Sequence, residues 1–362
     1  MAYTTIDDPT KFFSTNLWVA DNASSRSLTG FGHQPDLVWT KHRGSGATNP
    51  TFTDSVRGGD KQMGTSSNAA EDSGSHGKIS SFDSDGITVI DGTNGTYPRL
   101  YFNSLNPFGA SVGGNYVGWS WKAGGTAVSN GNGSITSSVS ANTTSGVSIV
   151  SYTGTGSVAT VGHGLGVAPK FIIVKTRSLS GEAWPVDSRA ASGILYLNET
   201  GTKGSYGDSS PFPSTAPTTT VFSIGTPNNT NGSGATYIAY CFAEVKGFSK
   251  FASYTGNGNA DGTFVYTGFR PAFVMIKNTS SSGTDWVMHD SARDPFNVIG
   301  ERLIANGTNA GSTATYLDFL SNGFKWRTSD FGRNENGSTF IYMAFAEHPF
   351  VTEGTKAAGT AR

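Results

Sequence analysis

Gly32-His33-Gln34-Pro35-Asp36-Leu37-Val38-Trp39-Thr40-Lys41 recurs in altered form twice further along the chain. The later copies read Gly166-Val167-Ala168-Pro169-Lys170-Phe171-Ile172-Ile173-Val174-Lys175 and Gly268-Phe269-Arg270-Pro271-Ala272-Phe273-Val274-Met275-Ile276-Lys277. Each has Pro three residues after Gly, a mostly apolar run, and Lys six residues after the Pro. A repeated phrase marks a copied supersecondary unit. Gly supplies a permissive backbone, and Pro fixes φ at the entrance to a strand, where its missing N–H is tolerated. The run that follows reads as a buried strand. Pro35, Pro169 and Pro271 are therefore read as structural repeat positions.

Working outward, each copy is followed by Asp-Ser and then Arg: Asp54-Ser55 with Arg57, Asp187-Ser188 with Arg189, Asp290-Ser291 with Arg293. Further on comes an aromatic strand: Tyr116 to Trp121, Tyr237 to Phe242, Phe340 to Phe345. Asp85-Gly86 and Asn322-Gly323 are hairpin-turn dipeptides. Helical periodicity is nearly absent. The expected fold is all-β, built of three tandem, related β-sandwich modules of lectin-like or jelly-roll-like type. The expected boundaries are 1–122 for a first module with an anchoring N-terminus, 123–146 for a Ser/Thr/Gly-rich linker, 147–247 for a second module, and 248–362 for a third with a C-terminal tail. The linker reads as flexible by composition, with a short strand through Ile135 and Val139 as the alternative.

Lys41, Lys175 and Lys277 are opposite in charge to Asp54, Asp187 and Asp290. The favoured expectation is a repeated structural ion pair between them across a hairpin. The sharper alternative is a sugar or carboxylate groove, with Trp184 and Trp286 as stacking platforms beside Arg189 and Arg293.

Composition narrows the function. Charged residues make up 14% of the 362-residue chain and net charge is −1. With no basic stripe, a nucleic-acid partner is not expected. Solubility falls to Ser, Thr, Asn and Gly, while 7 Trp, 13 Tyr and 23 Phe can fill a core. Cys241 is the single cysteine, so no intrachain disulfide forms. Residues Met1 to Pro9 have no secretory-signal pattern, and no apolar run reaches the ~18–20 residues of a membrane span. No cofactor is expected. His289-Asp290-Ser291 is contiguous, and neighbouring strand residues point to opposite faces, which argues against a catalytic triad. Asp83-Ser84-Asp85-Gly86 lacks the later ligands of a calcium loop, Gly162-His163-Gly164-Leu165-Gly166 precedes no helix that would receive a phosphate, and no cluster has metal-ligand spacing.

Several blocks together resemble a family of tailed-bacteriophage virion proteins common in marine and cyanobacterial phages, described as tail-fibre-like or structural. They are Met1-Ala2-Tyr3-Thr4-Thr5-Ile6-Asp7-Asp8-Pro9, Gln34 to Lys41, Asp54-Ser55-Val56-Arg57-Gly58, Ser81 to Gly86, Val161 to Pro169, Tyr237 to Glu244 and Tyr266 to Lys277. The resemblance spans nearly the whole chain and implies no catalytic residue. It implies a non-enzymatic particle component, assembled in the host cytoplasm and placed on the virion, on the tail rather than the capsid. The expected partners are other virion proteins, further copies of the chain in a homotrimer, and a host surface glycan or envelope protein. A capsid decoration, head-fibre or baseplate protein is the alternative. A glycan-degrading spike is the third reading, with Glu182 and Asp187, or Asp285 and Asp290, as its carboxylates. If recognition occurs, it is expected where the copies differ, in the loops Ser178–Glu182, Tyr206–Pro217 and Ser280–Asp285.

Overall fold

The computed structural model describes residues 4–44, 48–107 and 113–351. The protein is nearly all β, with several antiparallel sheets packed together in sandwich fashion. The C-terminal tail beyond residue 351 and the first three residues lie outside the described residues.

The first stretch contributes β1 (Phe13–Val19), β2 (Ser25–Thr29), β3 (Leu37–His42), β4 (Thr51–Asp54), β5 (Gln62–Gly64), β6 (Lys78–Asp83), β7 (Gly86–Ile90) and β8 (Asn115–Trp121). Its main sheet has the order β1-β8-β3-β4-β5. The second stretch contributes β9 (Val128–Asn130), β10 (Ser137–Asn142), β11 (Val147–Thr153), β12 (Ala159–Gly162), β13 (Phe171–Thr176), β14 (Pro185–Ser188), β15 (Gly193–Tyr196), β16 (Val221–Ile224) and β17 (Thr236–Phe242). Its main sheet runs β15-β14-β13-β17-β11-β10-β9. The third contributes β18 (Ser249–Thr255), β19 (Phe264–Tyr266), β20 (Phe269–Asn278), β21 (Val287–Asp290), β22 (Ile299–Ile304), β23 (Ser312–Leu320), β24 (Gly323–Trp326) and β25 (Thr339–Pro349), ordered β18-β25-β20-β21-β22-β23-β24-β19.

One five-strand order is thus written three times: β1-β8-β3-β4-β5, β11-β17-β13-β14-β15 and β18-β25-β20-β21-β22. The registers agree as well. Leu37 lies opposite Trp121, Phe171 opposite Phe242, and Phe273 opposite Phe345. The phrase glycine has positive φ in every copy, +78° at Gly32, +73° at Gly166 and +86° at Gly268, a conformation glycine adopts without a Cβ penalty. Pro35 and Pro169 precede β3 and β13, and Pro271 sits at a bulge of β20.

The strands of the phrase are buried on both faces, which explains why they read as continuous apolar runs. Alternate residues face two cores. Outward, Val38, Ile172 and Val274 join separate clusters, covered in the first stretch by the β2-β7-β6 sheet and in the second by β12-β16. Each outer core contains a stacked aromatic pair at the same register: Trp18 on Tyr116, Tyr152 on Tyr237, Tyr254 on Phe340. Inward, Leu37 and Trp39, Phe171 and Ile173, Phe273 and Met275 enter one common core drawn from all three stretches. At its centre the three equivalent residues Trp121, Phe242 and Phe345 touch one another edge to face. Their ring centroids lie 6.1, 5.7 and 6.1 Å apart. The inner faces therefore meet around one line, and the sheets enclose it from three sides.

The stretch 123–146 is not an open tether. β10 pairs along β11, β9 pairs along β10, and Ile135 and Val139 enter the outer core of the second sheet. Of the short strand expected through Ile135 and Val139, Val139 lies in β10, while Ile135 precedes it and makes an isolated bridge to Val161. The turn dipeptides also shift by one: Asp83 pairs with Gly86 and Leu320 with Gly323, so Ser84-Asp85 and Ser321-Asn322 form the turns. Asp85 serves as an acceptor for the backbone N–H groups of Gly30 and Gly32 at 3.1 and 2.7 Å.

Candidate functional site

The expected Lys–Asp pairs do not form. In the β3–β4 hairpin Asp54 lies opposite Leu37, at the start of β3, whereas Lys41 lies near its end. Four residues of strand, roughly 13 Å, separate them. The same register holds Asp290 opposite Phe273, away from Lys277. The partner of each inward-facing aspartate is the arginine three residues on. Asp54 Oδ1 accepts from Arg57 N–H at 2.9 Å, and its Oδ2 accepts from Arg57 Nε at 2.5 Å. Asp290 repeats this with Arg293, at 2.9 and 2.7 Å. Arg57 Nη2 also donates to Phe52 O, and Arg293 Nη2 to Met288 O, both at 3.1 Å. All four side chains are fully enclosed.

Asp187 is not their equivalent. The residue opposite Phe171 is Ser188, so Asp187 is one position out of register and points to the outer side. There Arg189 and Tyr206 hold it, with Nη2–Oδ2 at 3.0 Å and OH–Oδ1 at 2.8 Å. Burial raises the Asp187 carboxyl above the ordinary aspartate range, and Arg189 opposes this. The position matching Arg57 and Arg293 is Ala191, in the common core. The spacing carried this difference in plain view: Asp-x-x-Arg in the outer copies, Asp-x-Arg in the middle one.

The proposed sugar platforms are closed. Trp184 and Trp286 are 0% and 1% exposed, because the inner face of each sheet packs against its neighbours rather than water. Their indole N–H groups donate to Ser67 O and Tyr196 O in the adjoining stretch, at 3.0 and 2.9 Å. Arg293 is buried with Asp290. Arg189 packs over Tyr206 and donates to Thr215 O at 2.9 Å. The carboxylates Asp187 and Asp290 are likewise enclosed and paired, so neither faces an open cleft as a glycosidase partner.

These contacts form a closed circuit. From the first stretch to the third run Lys41 Nζ to Gly307 O at 2.7 Å, Thr65 Oγ1 to Ala305 O at 2.8 Å, Trp119 Nε1 to Asp290 Oδ2 at 3.1 Å, and Arg43 with Glu301 at 2.9 Å. From the second to the first run Tyr240 OH to Asp54 Oδ2 at 2.8 Å, Lys175 Nζ to Asn68 O at 3.3 Å, and Arg177 with Glu71 at 2.9 Å. From the third to the second run Trp286 Nε1 to Tyr196 O and Gly283 N to Thr200 O, each at 2.9 Å. Sequence reading missed Trp119 and Tyr240 as the donors that reach across.

Lys41, Lys175 and Lys277 lie buried at one end of the common core. Burial pulls their amines down, Lys41 to about 7 and the other two to about 8. The Arg293 charge adds to the effect at Lys41, while carboxylates oppose it at Lys175 and Lys277. Lys175 donates to Glu182 O at 2.5 Å, and Lys277 to Thr284 O. Above them the strand ends open into loops that pair between neighbours. Residues 178–182 meet 67–70 through Gly181 N to Asn68 O at 2.9 Å, and 280–284 meet 199–203 through Gly283 N to Thr200 O. Ser178, Ser180, Thr200 and Ser282 stand exposed on this polar rim, with Glu199 and Lys203 beside them. Two of the three loops expected to carry recognition, Ser178–Glu182 and Ser280–Asp285, are here. Tyr206–Pro217 lies apart, against Arg189.

Among the described residues no helix is long and apolar enough to cross a membrane. No curated protein and no solved structure matched the chain. One family model, described as a domain of unknown function (DUF7483), matches residues 8–349; spanning nearly the whole chain, it makes this protein a member of the DUF7483 family.

Proposed function

We propose that the protein is a non-enzymatic structural component of a tailed-phage particle, a tail-fibre or receptor-binding adhesin whose lysine-end loops contact the host surface. The observation that carries this reading is the use of the residues best suited to chemistry. Trp184, Trp286, Asp54, Asp290, Arg57 and Arg293 are all buried and committed to joining one stretch to the next. What faces outward at that end is a rim of serine- and threonine-bearing loops on a rigid base, and recognition residues are disproportionately found on loops held by a rigid scaffold. The residue-level resemblance to phage virion proteins supplies the particle. Assembly as a homotrimer belongs to the same proposal.

The test is adsorption. Fluorescent full-length protein is expected to bind host cells or their purified envelope polysaccharide. Charge-bearing substitutions at Ser180 and Ser282 are expected to abolish binding without altering the fold. Absence of binding, together with normal adsorption by virions lacking the protein, would overturn the receptor role. A high copy number on the head would favour capsid decoration instead.

A further inference from the structure

The repeated five-strand unit ends on an edge strand in each copy: β1, β11 and β18. In the second sheet that edge is filled by the chain itself. β10 lies antiparallel along β11, from Asn142 opposite Val147 to Ser138 opposite Ser151. The arriving segment is tied to the first stretch, with Ala123 N donating to Asp36 Oδ2 at 2.8 Å and Ser145 Oγ to Lys122 O at 3.0 Å. In the first sheet β1 pairs only with β8, and among the described residues its other edge carries no ladder. Beside that edge runs a groove of about 340 Å³, with Ser14, Thr15 and Asn16 on one wall, Ala272, Ser291, Ala292 and Glu347 of the third stretch on the other, and residues 30–32 also lining it. By register Ala272 and Ser291 correspond to Asp36 and Ser55. The groove beside β1 is therefore the open counterpart of the site that β10 occupies.

A second observation singles out β1. Leu17 and Val19 are 41% and 60% exposed. By register their counterparts are Ser151 and Thr153 in β11, and Ser253 and Thr255 in β18. The rim end of the strand is polar in two sheets and apolar in the one whose edge borders the groove. Natural edge strands are guarded by charges, prolines or bulges against pairing with other chains. β18 carries Lys250, whereas the seven residues of β1, Phe-Ser-Thr-Asn-Leu-Trp-Val, include no charge and no proline; a charge from outside reaches the strand at its last residue, where Arg26 Nη1 donates to Val19 O at 2.5 Å.

We propose that the β1 edge receives an extended strand from another polypeptide, running antiparallel to β1 as β10 runs to β11. The occupant is uncharged and rich in Ser, Thr and Ala, after the pattern Ser137-Ser138-Val139-Ser140-Ala141-Asn142. Main-chain bonds supply the affinity in strand addition and alternate side chains supply the selection. Here Ala272, Ser291 and Ala292 offer an uncharged wall on one face, with Glu347, which is paired with Arg270, at its border, and Leu17 and Val19 cover apolar side chains toward the rim. The surface lies along one flank and does not depend on the host-facing role of the loops.

The probe is a fluorescein-labelled peptide of residues 134–143 titrated into the full-length protein, read by anisotropy and by amide hydrogen exchange. Saturable binding is expected, with exchange slowed in β1 between Ser14 and Val19. The Leu17→Lys, Val19→Lys variant is expected to bind at least about tenfold more weakly, with an unchanged circular dichroism spectrum. Leu17→Ser with Val19→Thr, the residues the sister strands carry, keeps the fold and weakens binding less. The proposal is overturned if the peptide does not bind at millimolar concentration, if the lysine variant binds it equally, or if protection appears on β18 or β11. Sedimentation showing that two copies pair through their β1 edges would make the occupant a second copy and would also overturn it.

Discussion

Two of the three junctions around the common core are polar at their centre and the third is not. At the second–first junction Tyr240 of β17 donates to the Asp54–Arg57 pair, and at the first–third junction Trp119 of β8 donates to Asp290–Arg293. At the third–second junction the equivalent position is held by Met343 of β25, which has no donor, and the residues it would meet are Ser188 and Ala191. Donor and acceptor are absent together. An aspartate facing Met343 would be an under-satisfied buried charge, and a Tyr or Trp facing Ala191 would lack an acceptor; both are costly. The difference teaches that the junction chemistry is selected pairwise across copies, so no single copy determines it.

The largest expected effect follows from removing one member of an enclosed pair. Asp54→Ala leaves the Arg57 guanidinium buried with a reduced set of acceptors, at a cost of about 3–5 kcal/mol. Asp290→Ala is expected to cost a similar amount through Arg293. Asp187→Ala is expected to cost less than half as much, because Arg189 is partly exposed and keeps the carbonyls of residues 213–215. Urea midpoints of the three variants check the ranking, and equal losses at all three positions would remove the distinction between inner and outer pairs.

Next come the donors that cross the junctions. Tyr240→Phe keeps the aromatic packing and deletes the hydrogen bonds of its hydroxyl, at about 1–3 kcal/mol; Trp119→Phe deletes one charge-assisted hydrogen bond and adds the cost of the space the smaller ring leaves in the core. Tyr240→Phe is expected at the upper end of that range, because two bonds are lost: the hydroxyl donates to Asp54 and accepts from Arg57 Nη2 at 3.1 Å. A double-mutant cycle of Tyr240→Phe with Asp54→Asn should show strong coupling, and the same cycle with Asp290→Asn none.

How far these contrasts could be read beforehand differs from residue to residue. The phrase glycines, the strands they introduce and the aromatic strands were legible, since positive φ and buried apolar runs leave local marks. The Lys–Asp pairing was misread because charge complementarity says nothing about register, and a hairpin that sets Leu37 against Asp54 separates Lys41 from it. Trp184 and Trp286 were misread because a sandwich considered alone leaves one sheet face to solvent, whereas here that face closes on two neighbours. The tie between Tyr240 and Asp54 joins residues 186 positions apart, beyond any local pattern.

The lysines extend the comparison to pH. Lys41 titrates near 7 when folded, against an ordinary value of 10.5. Between these values the unfolded chain binds one proton more than the folded chain, so stability rises with pH, by up to about 1.4 kcal/mol per unit. Lys175 and Lys277 add their contributions from about 8 upward. Wild-type urea midpoints are therefore expected to climb from pH 7 to 9; Lys41→Met is expected to lower the slope over the whole of that range, and Lys277→Met only from about pH 8 upward. Identical slopes for the two variants would mean that burial, together with the Arg293 charge at Lys41 and the carboxylates near Lys277, does not set the two lysines apart.

The smallest expected effect is the most diagnostic. Ser188 occupies the position of Asp54 and Asp290, and its buried hydroxyl has no hydrogen-bond partner. Ser188→Ala removes a polar group that gains nothing in the folded state, so the change is expected to be neutral or slightly stabilising, within about 0.5 kcal/mol. The same serine-to-alanine change at Ser249, whose Oγ accepts from Val245 N at 3.0 Å and lies near Ala243 O, should cost about 1 kcal/mol. A loss at Ser188 as large as at Ser249 would mean that its hydroxyl is engaged. The third–second junction would then hold a polar contact at its centre after all, and the pairwise rule drawn from Met343 and Ala191 would fail.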